Sequence, residues 1–265
     1  MQTKNHYETF ALRILDIKPE TSIDYTYCFE YNKPLVYGQF FELSIPGIGE
    51  APISVSAFDQ NRMWMTIRKV GRLTDAIFNC KAGDTIQCRG PYGNGFNVKQ
   101  FTGSDLIIVA GGTGLAPVRG LTRYFVTNKS ACKSLHIITG FKSPSDILYR
   151  EELGQWEKDS SLVLTVDKGT DTWSGNIGLV TEFIPKLPVL KSPEAQAIVV
   201  GPPLMMKFAT LALIKDGVPQ DNITVSFERN MSCGLGKCGH CKIDETYVCL
   251  DGPVFSLTKA MHLID

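Results

Sequence analysis

The sequence predicts a small antiparallel β-barrel, followed by an α/β domain built on a parallel sheet and by a loop-rich tail. Short strand-like segments broken by glycine, proline and asparagine fill residues 10–98. Longer apolar runs alternate with helix-like stretches over residues 105–227. From residue 228 onward, glycines and cysteines replace that periodicity. We therefore predict domains at residues 1–98, 105–227 and 228–265.

The composition is that of an ordinary soluble globular protein. The 265 residues are enough for one large domain or for two to three smaller ones, and 43% of them are hydrophobic and 20% charged. The 27 basic and 27 acidic residues cancel, so no net charge attracts nucleic acid or an anionic membrane. The N-terminal segment has no apolar core of signal-peptide length, and no run is long enough to span a membrane. A cytoplasmic location is expected.

The predicted barrel contains segments such as FALRILDI, YTYCFEY and MWMTIRKV, spaced closely enough to pair as antiparallel neighbours. One short helix is expected among them, from residue 73 or 74 to residue 80. A strand passes through Gly71 into the start of this helix, and a helix N-terminus favours an anion. A polar linker over residues 99–104 follows the barrel.

The α/β domain begins with DLIIVA at residues 105–110, a continuous apolar run typical of a strand buried on both faces. A helix is expected over residues 116–127, with a proline in its first turn where the missing N–H costs little. Further strands are expected at LHIIT, LVLTV, AIVV and ITVSF, separated by helices near residues 147–157, 180–186 and 204–215. This alternation predicts a Rossmann-like parallel sheet with crossover helices.

Two glycine-containing turns follow strands of that sheet. The first joins a buried strand to a helix, where free N–H groups and the helix dipole favour a phosphate. The second, in a Gly-Pro-Pro segment, opens at the same sheet edge, where ligands bind in open parallel sheets. A purely structural turn is the alternative for each. The candidate dinucleotide-binding residues are Gly111, Gly112, Thr113, Gly114 and Pro117 in the first turn and Gly201 and Pro202 in the second.

Four of the eight cysteines lie close together in the tail with the spacing C-x₄-C-x₂-C-x₇-C. This spacing is typical of plant-type [2Fe–2S] ligation, and the glycines between the cysteines allow a tight loop around a cluster. A structural zinc site is the alternative, although zinc sites usually present two C-x₂-C pairs. The remaining cysteines are expected to be buried thiols. The candidate ligands are Cys233, Cys238, Cys241 and Cys249.

These segments, in this order, resemble the ferredoxin–NADP reductase-like superfamily, and within it the electron-transfer subunits that end in a [2Fe–2S] cluster. The turn Gly-Gly-Thr-Gly-Leu-Ala-Pro and the later Gly-Pro-Pro-Leu-Met match its nicotinamide-binding motifs. The tail MSCGLGKCGHCKIDETYVCLDGPVF and the barrel segment GEAPISVS resemble the electron-transfer subunits of anaerobic sulfite reductase. The γ subunits of sulfhydrogenases and the electron-transfer subunits of dihydroorotate dehydrogenase are related candidates, but the latter usually carry their fourth cysteine further along.

The resemblance implies a flavin in the barrel. Ala51 stands where these barrels commonly carry an arginine for the flavin phosphate, so either Arg68 or Arg72 is expected to supply that charge. FAD is expected, with FMN as the alternative. The flavin candidates are Pro52 and Ser54 in the first segment and Arg68, Gly71, Arg72 and Thr74 in the second.

The implied function is electron transfer from NADH or NADPH, through the flavin and the cluster, to a partner that reduces sulfite. The expected partners are iron–sulfur and sirohaem-containing sulfite reductase subunits, because this chain has no second cluster motif. No acid–base or nucleophilic catalytic residue is needed. The alternatives are a diaphorase-type γ subunit of a hydrogenase or sulfhydrogenase complex and a non-enzymatic zinc-stabilised binding module.

Overall fold

The computed structural model describes residues 7–261 and residue 263. These residues form two compact units. One contains the barrel residues up to 96 together with residues 228–253, and the other contains residues 97–227 with the segment that begins at residue 254. The grouping follows contacts in space and joins segments that are distant in sequence. The division into cofactor-binding domains at 1–98, 105–227 and 228–265 stays a prediction.

The first unit is built on a closed antiparallel barrel with the strand order β1-β2-β5-β4-β3-β6, in which β6 pairs back onto β1. Alternating side chains point inward because successive residues of a strand face opposite sides. The six strands are β1 (Phe10–Pro19), β2 (Asp24–Glu30), β3 (Phe40–Ile45), β4 (Gly49–Phe58), β5 (Arg62–Arg68) and β6 (Thr85–Tyr92). The barrel core includes Leu12, Ile14, Tyr27, Phe29, Phe41, Leu43, Met63, Met65 and Ile67.

The predicted short helix of the barrel is α1 (Arg72–Ile77), and it inserts Leu73 and Ile77 into the barrel core. The α-helix ends three residues earlier than the sequence suggested. The chain continues up to Cys80 with the hydrogen bonds of turns, such as that from Cys80 N–H to the Ile77 carbonyl. A further short helix, α2 (Val98–Phe101), overlaps the predicted linker. The Asn97 side chain caps its N-terminus, and Phe101 is completely buried.

The second unit is a seven-stranded sheet with the order β10-β9-β8-β7-β11-β12-β15. Its neighbours are parallel except for β15, which adds antiparallel to β12. Residues 106–110 are fully buried, as the continuous apolar run predicted. The strands are β7 (Asp105–Gly111), β8 (Ser134–Phe141), β9 (Ser161–Val166), β10 (Asn176–Ile177), β11 (Ala195–Val200), β12 (Ile223–Ser226) and β15 (Val254–Ser256).

The helices of this unit are α3 (Leu115–Thr127), α4 (Arg150–Asp159), α5 (Pro203–Lys215) and, near the chain end, α7 (Leu257–Ala260). Two predicted helices differ from the structure. The one expected from residue 147 starts at Arg150, because Tyr149 has a left-handed backbone (φ +54°) that a helix cannot continue through. The one expected over 180–186 is two 3₁₀ turns, since Pro185 offers no N–H to an α-helical ladder.

The cysteine-rich segment has little regular structure. It contains a two-stranded ribbon, β13 (Lys242–Ile243) with β14 (Thr246–Tyr247), and the single turn α6 (Val248–Asp251). The predicted fold class, a barrel followed by a Rossmann-like sheet and a small loop-rich segment, is confirmed. Within the described residues, no helix combines the length and apolar character that crossing a membrane requires.

Candidate functional site

The four tail cysteines lie together in the structure as two pairs. The Cys233 thiol is in hydrogen-bonding contact with Cys238, and the Cys249 thiol with Cys241. Cys238 is exposed to solvent, whereas the other three are buried. The loop that carries the first three therefore has one open side at Cys238 and one covered side.

Backbone N–H groups in this loop point at the sulfurs. The N–H groups of Leu235, Lys237 and Cys238 donate to Cys233 Sγ, with N–S distances of 3.3, 3.4 and 3.5 Å. Gly236 N–H donates to Cys249 Sγ at 3.1 Å, and it does so from a left-handed backbone (φ +66°) that favours glycine. Donors arranged in this way stabilise negatively charged sulfur.

The pKa values of the thiols follow from this arrangement. Burial raises the pKa of Cys233, but the three backbone N–H groups outweigh burial and lower that pKa to about 6. Burial, followed by the adjacent Cys241 thiol, raises the pKa of Cys249 to about 12. The backbone N–H groups thus favour the thiolate form of Cys233, whereas burial and the adjacent Cys241 thiol disfavour the thiolate form of Cys249.

The two pairs fit a two-iron cluster. In a [2Fe–2S] centre each iron takes two of the four thiolates and bridging sulfides complete both irons. Cys233, Cys238, Cys241 and Cys249 together supply the four thiols that such a cluster needs, and they are its proposed ligands.

A charged cluster that the sequence did not indicate lies next to Cys233. Arg89 on β6 is buried, and its guanidinium donates to the Glu50 carboxylate and to the backbone carbonyls of Ser232 and Cys233. The only sequence signal was the turn that begins at this arginine, RGPYGNGF, which turn chemistry alone explains.

Glu42 on β3 faces Arg89 across the strand register and is completely buried. Neither of its carboxylate oxygens has a hydrogen-bond partner in the described part of the chain. Burial first, and then the charge of Glu50, raises the pKa of Glu42 to about 7, although Arg89 opposes the rise. Two carboxylates and one guanidinium therefore sit beside the first cysteine of the loop.

The flavin candidates lie on neighbouring strands of the barrel. Pro52 and Ser54 are half-buried on β4, which pairs with β5, and β5 leads into α1. Arg68, at the end of β5, binds both oxygens of the Asp24 carboxylate, with distances of 2.7 and 3.0 Å. Arg68 is thus already engaged within the barrel.

The start of α1 is arranged by Thr74. Its hydroxyl accepts hydrogen bonds from the N–H groups of Val70 and Gly71 at 2.9 and 3.0 Å and donates to the Gly71 carbonyl. Arg72 is exposed, and no ion pair or hydrogen bond to its side chain occurs among the described residues. Of the two arginines, Arg72 is the one available to a phosphate.

The two predicted glycine turns meet at one edge of the parallel sheet. Strands β7 and β11 are neighbours with Ala110 opposite Val200, so the turns that follow them are adjacent. A Cβ on Gly114 would lie 2.6 Å from both the Gly201 Cα and the Val200 carbonyl oxygen. Only glycine permits this close approach of the two backbones.

Gly112 differs from Gly114. It has φ +55°, and no heavy atom would lie within 4 Å of a Cβ placed on it. Thr113 is half-buried beside it, Pro117 is buried in α3, and Pro202 is exposed at the second turn. The first turn therefore packs on the second through Gly114 and leaves open space above Gly112, as a phosphate-binding turn requires.

A barrel, a parallel sheet with adjoining glycine turns and a thiolate loop together define an oxidoreductase built for electron transfer. Residues 108–210 match the family model of the oxidoreductase NAD-binding domain. Residues 228–260 match that of the iron–sulfur cluster binding domain of dihydroorotate dehydrogenase B.

Known proteins match along almost the whole chain. Sulfhydrogenase 1 subunit gamma of Pyrococcus furiosus is 34% identical, over 97% of this chain and 93% of the relative. A probable dihydroorotate dehydrogenase B (NAD(+)) electron transfer subunit of the same organism is 33% identical, over 83% of this chain and 78% of its own length. The chain therefore belongs to the family of ferredoxin–NADP reductase-like electron-transfer subunits with a C-terminal iron–sulfur binding domain.

Solved structures agree on the fold. An NADH-dependent reduced ferredoxin-NADP oxidoreductase superposes with a TM-score of 0.78 at 24% identity, over 100% of this chain and 91% of the other. A ferredoxin NADP+ reductase from Neisseria gonorrhoeae, solved with bound FAD and NADP, gives 0.68 at 18% identity, over 82% and 97%. The two matched domains support the predicted nicotinamide and iron–sulfur cofactors, and the flavin stays a prediction.

Proposed function

We propose that this chain takes electrons from NADH and delivers them, through a flavin and a [2Fe–2S] cluster, to a partner subunit. The observation that carries the proposal is the cysteine loop. Its four thiols form two pairs, and backbone N–H groups point at the sulfurs in a chain whose α/β unit matches an NAD-binding domain. The bound flavin would supply the conversion between a two-electron donor and a one-electron acceptor.

The chain's own residues supply binding and position. The turn 111–114 and its neighbour Gly201 hold the nicotinamide dinucleotide by its pyrophosphate, at the strand ends where parallel sheets bind ligands. Pro52, Ser54 and the segment 68–74 hold the flavin, with Arg72 as the phosphate partner. Oxidation of one NADH to NAD⁺ releases two electrons and one proton, and a bound flavin and cluster would allow those electrons to leave one at a time.

For the partner, the relatives favour a hydrogenase-type complex. Two sulfhydrogenase gamma subunits of Pyrococcus furiosus match over 97% of this chain, at 34% and 32% identity. We therefore propose a sulfhydrogenase-like partner as the first candidate. The cytoplasmic location expected from the sequence and the preference for NADH over NADPH remain parts of this proposal.

A sulfite-reducing partner is the second candidate. It is favoured by the seven-residue gap before Cys249 and by the segments GEAPISVS and MSCGLGKCGHC. None of the relatives described above is a sulfite reductase subunit, so this finer assignment stays a prediction. Anaerobic purification of the tagged chain from its own cells would identify the partner, and NADH-dependent hydrogen production or sulfite reduction by the isolated complex would distinguish the two candidates.

Anaerobic reduction of the purified chain tests the function itself. We expect NADH to bleach the flavin absorbance and then to generate the EPR signal of a reduced [2Fe–2S] cluster. Replacing Cys238 by serine should remove the cluster signal and leave flavin reduction intact, because Cys238 is proposed to bind iron only. Cys132→Ser is the control, since Cys132 is a buried thiol outside the loop.

Two results would contradict the proposal. A chain purified anaerobically without iron and acid-labile sulfide has no cluster, and a zinc content in its place supports the zinc-stabilised module. A flavin that neither NADH nor NADPH reduces would rule out a nicotinamide dinucleotide as the electron donor.

A further inference from the structure

We propose that Arg89 is a positioning residue for the iron–sulfur cluster, and that the opposed charges of Arg89 and Glu50 set how readily the cluster is reduced. The proposal rests on the proposed function, in that a cluster occupies the cysteine loop. It concerns two residues of the barrel wall, far from the cysteine motif in sequence.

The guanidinium of Arg89 is held in one orientation by partners on every side. It is 6% exposed, and its Nε donates to Glu50 Oε2 at 3.1 Å while Nη2 donates to Oε1. The Tyr92 hydroxyl lies 3.4 Å from Nη1, and the Tyr92 ring centroid lies 5.7 Å from Cζ. A planar fork held on one edge by a carboxylate directs its remaining N–H groups along fixed lines.

Those remaining N–H groups reach the cysteine loop. Nη1 donates to the carbonyl of Cys233 and Nη2 to the carbonyl of Ser232, across 144 and 143 positions of sequence. The same Cys233 accepts three backbone N–H groups at its sulfur. Arg89 therefore fixes the main chain of the first proposed ligand, while the loop's own N–H groups hold its sulfur.

The charges of Arg89 and its carboxylate neighbours should also affect how readily the cluster is reduced. A reduced cluster carries one more negative charge than an oxidised one, so a nearby cation favours reduction and a nearby carboxylate opposes it. Arg89 lies between Cys233 and Glu50, and Glu42 faces Arg89 from β3. Arg89 and Glu42 are buried, and charges in a buried environment of low effective dielectric act strongly on a neighbouring group. Removing the arginine leaves two carboxyl groups beside the loop, and removing Glu50 leaves the cation less neutralised.

The two single-charge variants should consequently shift the cluster potential in opposite directions. We expect Arg89→Gln to lower the equilibrium constant for cluster reduction about tenfold, equivalent to about 59 mV toward negative potential for a one-electron couple. Glu50→Gln should shift the potential the other way, and Arg89→Lys, which keeps the charge, should stay close to the native value. Arg62→Gln is the control, because Arg62 forms an exposed ion pair with Asp59 elsewhere on the barrel.

The measurement is an EPR-monitored redox titration of the full-length, anaerobically purified chain. Iron and sulfide per chain and flavin reduction by NADH are determined in parallel. The variants could lose part of their cluster content while the remaining clusters keep the native potential. Arg89 would then be a structural contact only, and the proposal would be overturned. Shifts of the same sign in the two neutralising variants would also overturn it.

A variant that loses the cluster entirely does not block the test. If Arg89→Gln fails to assemble a cluster, the shift of Glu50→Gln to positive potential and the native potential of Arg89→Lys decide the question. The proposed function and the role of Arg89 are tested by different outcomes. A native chain without a cluster overturns the proposed function, whereas a loaded native chain whose variants show no shift overturns the role of Arg89 alone.

Discussion

Both oxygens of the buried Asp24 carboxylate bind the guanidinium of Arg68, with Nε–Oδ1 at 2.7 Å and Nη2–Oδ2 at 3.0 Å. Asp24 is fully buried, the Arg68 side chain is 30% exposed, and the two residues are paired across β2 and β5. Asp24 also accepts the Thr21 hydroxyl at 2.7 Å. This arginine closes the end of the barrel by neutralising a buried charge, so its first role is structural.

Replacing Arg68 by glutamine should therefore destabilise the barrel. The buried Asp24 carboxylate would lose its counter-charge, and we expect the free energy of unfolding to fall by about 3 kcal/mol, the lower end for a broken buried pair. Urea unfolding of the flavin-free chain, followed by circular dichroism, measures it. Arg62→Gln breaks an exposed pair on the same barrel and should have a much smaller effect. Equal effects of the two substitutions would contradict the structural role.

Arg72 should behave in the opposite way. It is exposed, and within residues 7–261 and 263 its side chain has no ion pair, so its removal should leave the unfolding free energy unchanged. As the proposed phosphate partner of the flavin, its replacement by glutamine should raise the flavin Kd about tenfold, the loss expected for one charge-assisted hydrogen bond. Titration of the flavin-free chain with FAD, followed by flavin fluorescence, tests this. A normal Kd for Arg72→Gln, with a raised Kd for Arg68→Gln at unchanged stability, would reverse the assignment.

Two glycines of the turn after β7 should also differ in role, one affecting stability and the other dinucleotide binding. A Cβ on Gly114 would meet the backbone of residues 200–201 at 2.6 Å, and neither backbone can move independently of its strand. We expect Gly114→Ala to lower the unfolding free energy by about 2 kcal/mol, as overpacking does. Gly112 has open space around its Cβ position, so Gly112→Ala should retain most of the stability but raise the KM for NADH by crowding the pyrophosphate.

Gly103 provides the control for the backbone strain at Gly112. Its φ is +76°, and a Cβ on it also meets nothing within 4 Å, but it lies in a turn before β7 rather than after it. Gly103→Ala and Gly112→Ala should therefore lose similar stability, whereas only Gly112→Ala should change the KM. An unchanged KM for the Gly112 variant would exclude the turn as the dinucleotide site.

Much of the fold follows from local sequence patterns. The run DLIIVA predicted a doubly buried strand because its side chains are apolar on both faces, and β7 is such a strand. The two glycine turns could be placed at one sheet edge because parallel strands end on the same side. The predictions of the helices at Tyr149 and Pro185 were wrong. A left-handed backbone and a missing N–H are effects of single residues within apolar stretches, and the hydrophobic pattern does not reveal them.

The charged residues next to the cysteine loop could not be predicted in this way. Glu42 stands in FFELSI between Phe41 and Leu43, which face the barrel core, so alternation would direct its side chain to solvent. It is buried nonetheless, beside an arginine whose contact with Cys233 spans 144 positions. Local periodicity carries no information on which segment covers the outer face of a barrel strand.

Glu42 should make stability depend on pH in a defined direction. Its pKa is raised from 4.5 to about 7, so between these values the folded chain keeps a proton that the unfolded chain has released. The contribution of Glu42 to stability is therefore largest below about pH 4.5, falls as the pH rises toward 7 and levels off above it. The raised pKa corresponds to at most about 3 kcal/mol.

Glu42→Gln removes this ionisation, so the variant should gain stability relative to the native chain between pH 5 and pH 8.5. Urea unfolding of the iron-free, reduced proteins at both pH values measures the difference, with Glu30→Gln, an exposed carboxylate on β2, as the control. A native chain that gained stability relative to Glu42→Gln as the pH rose would mean that Glu42 is ionised and paired when folded, and that Arg89 rather than burial governs it.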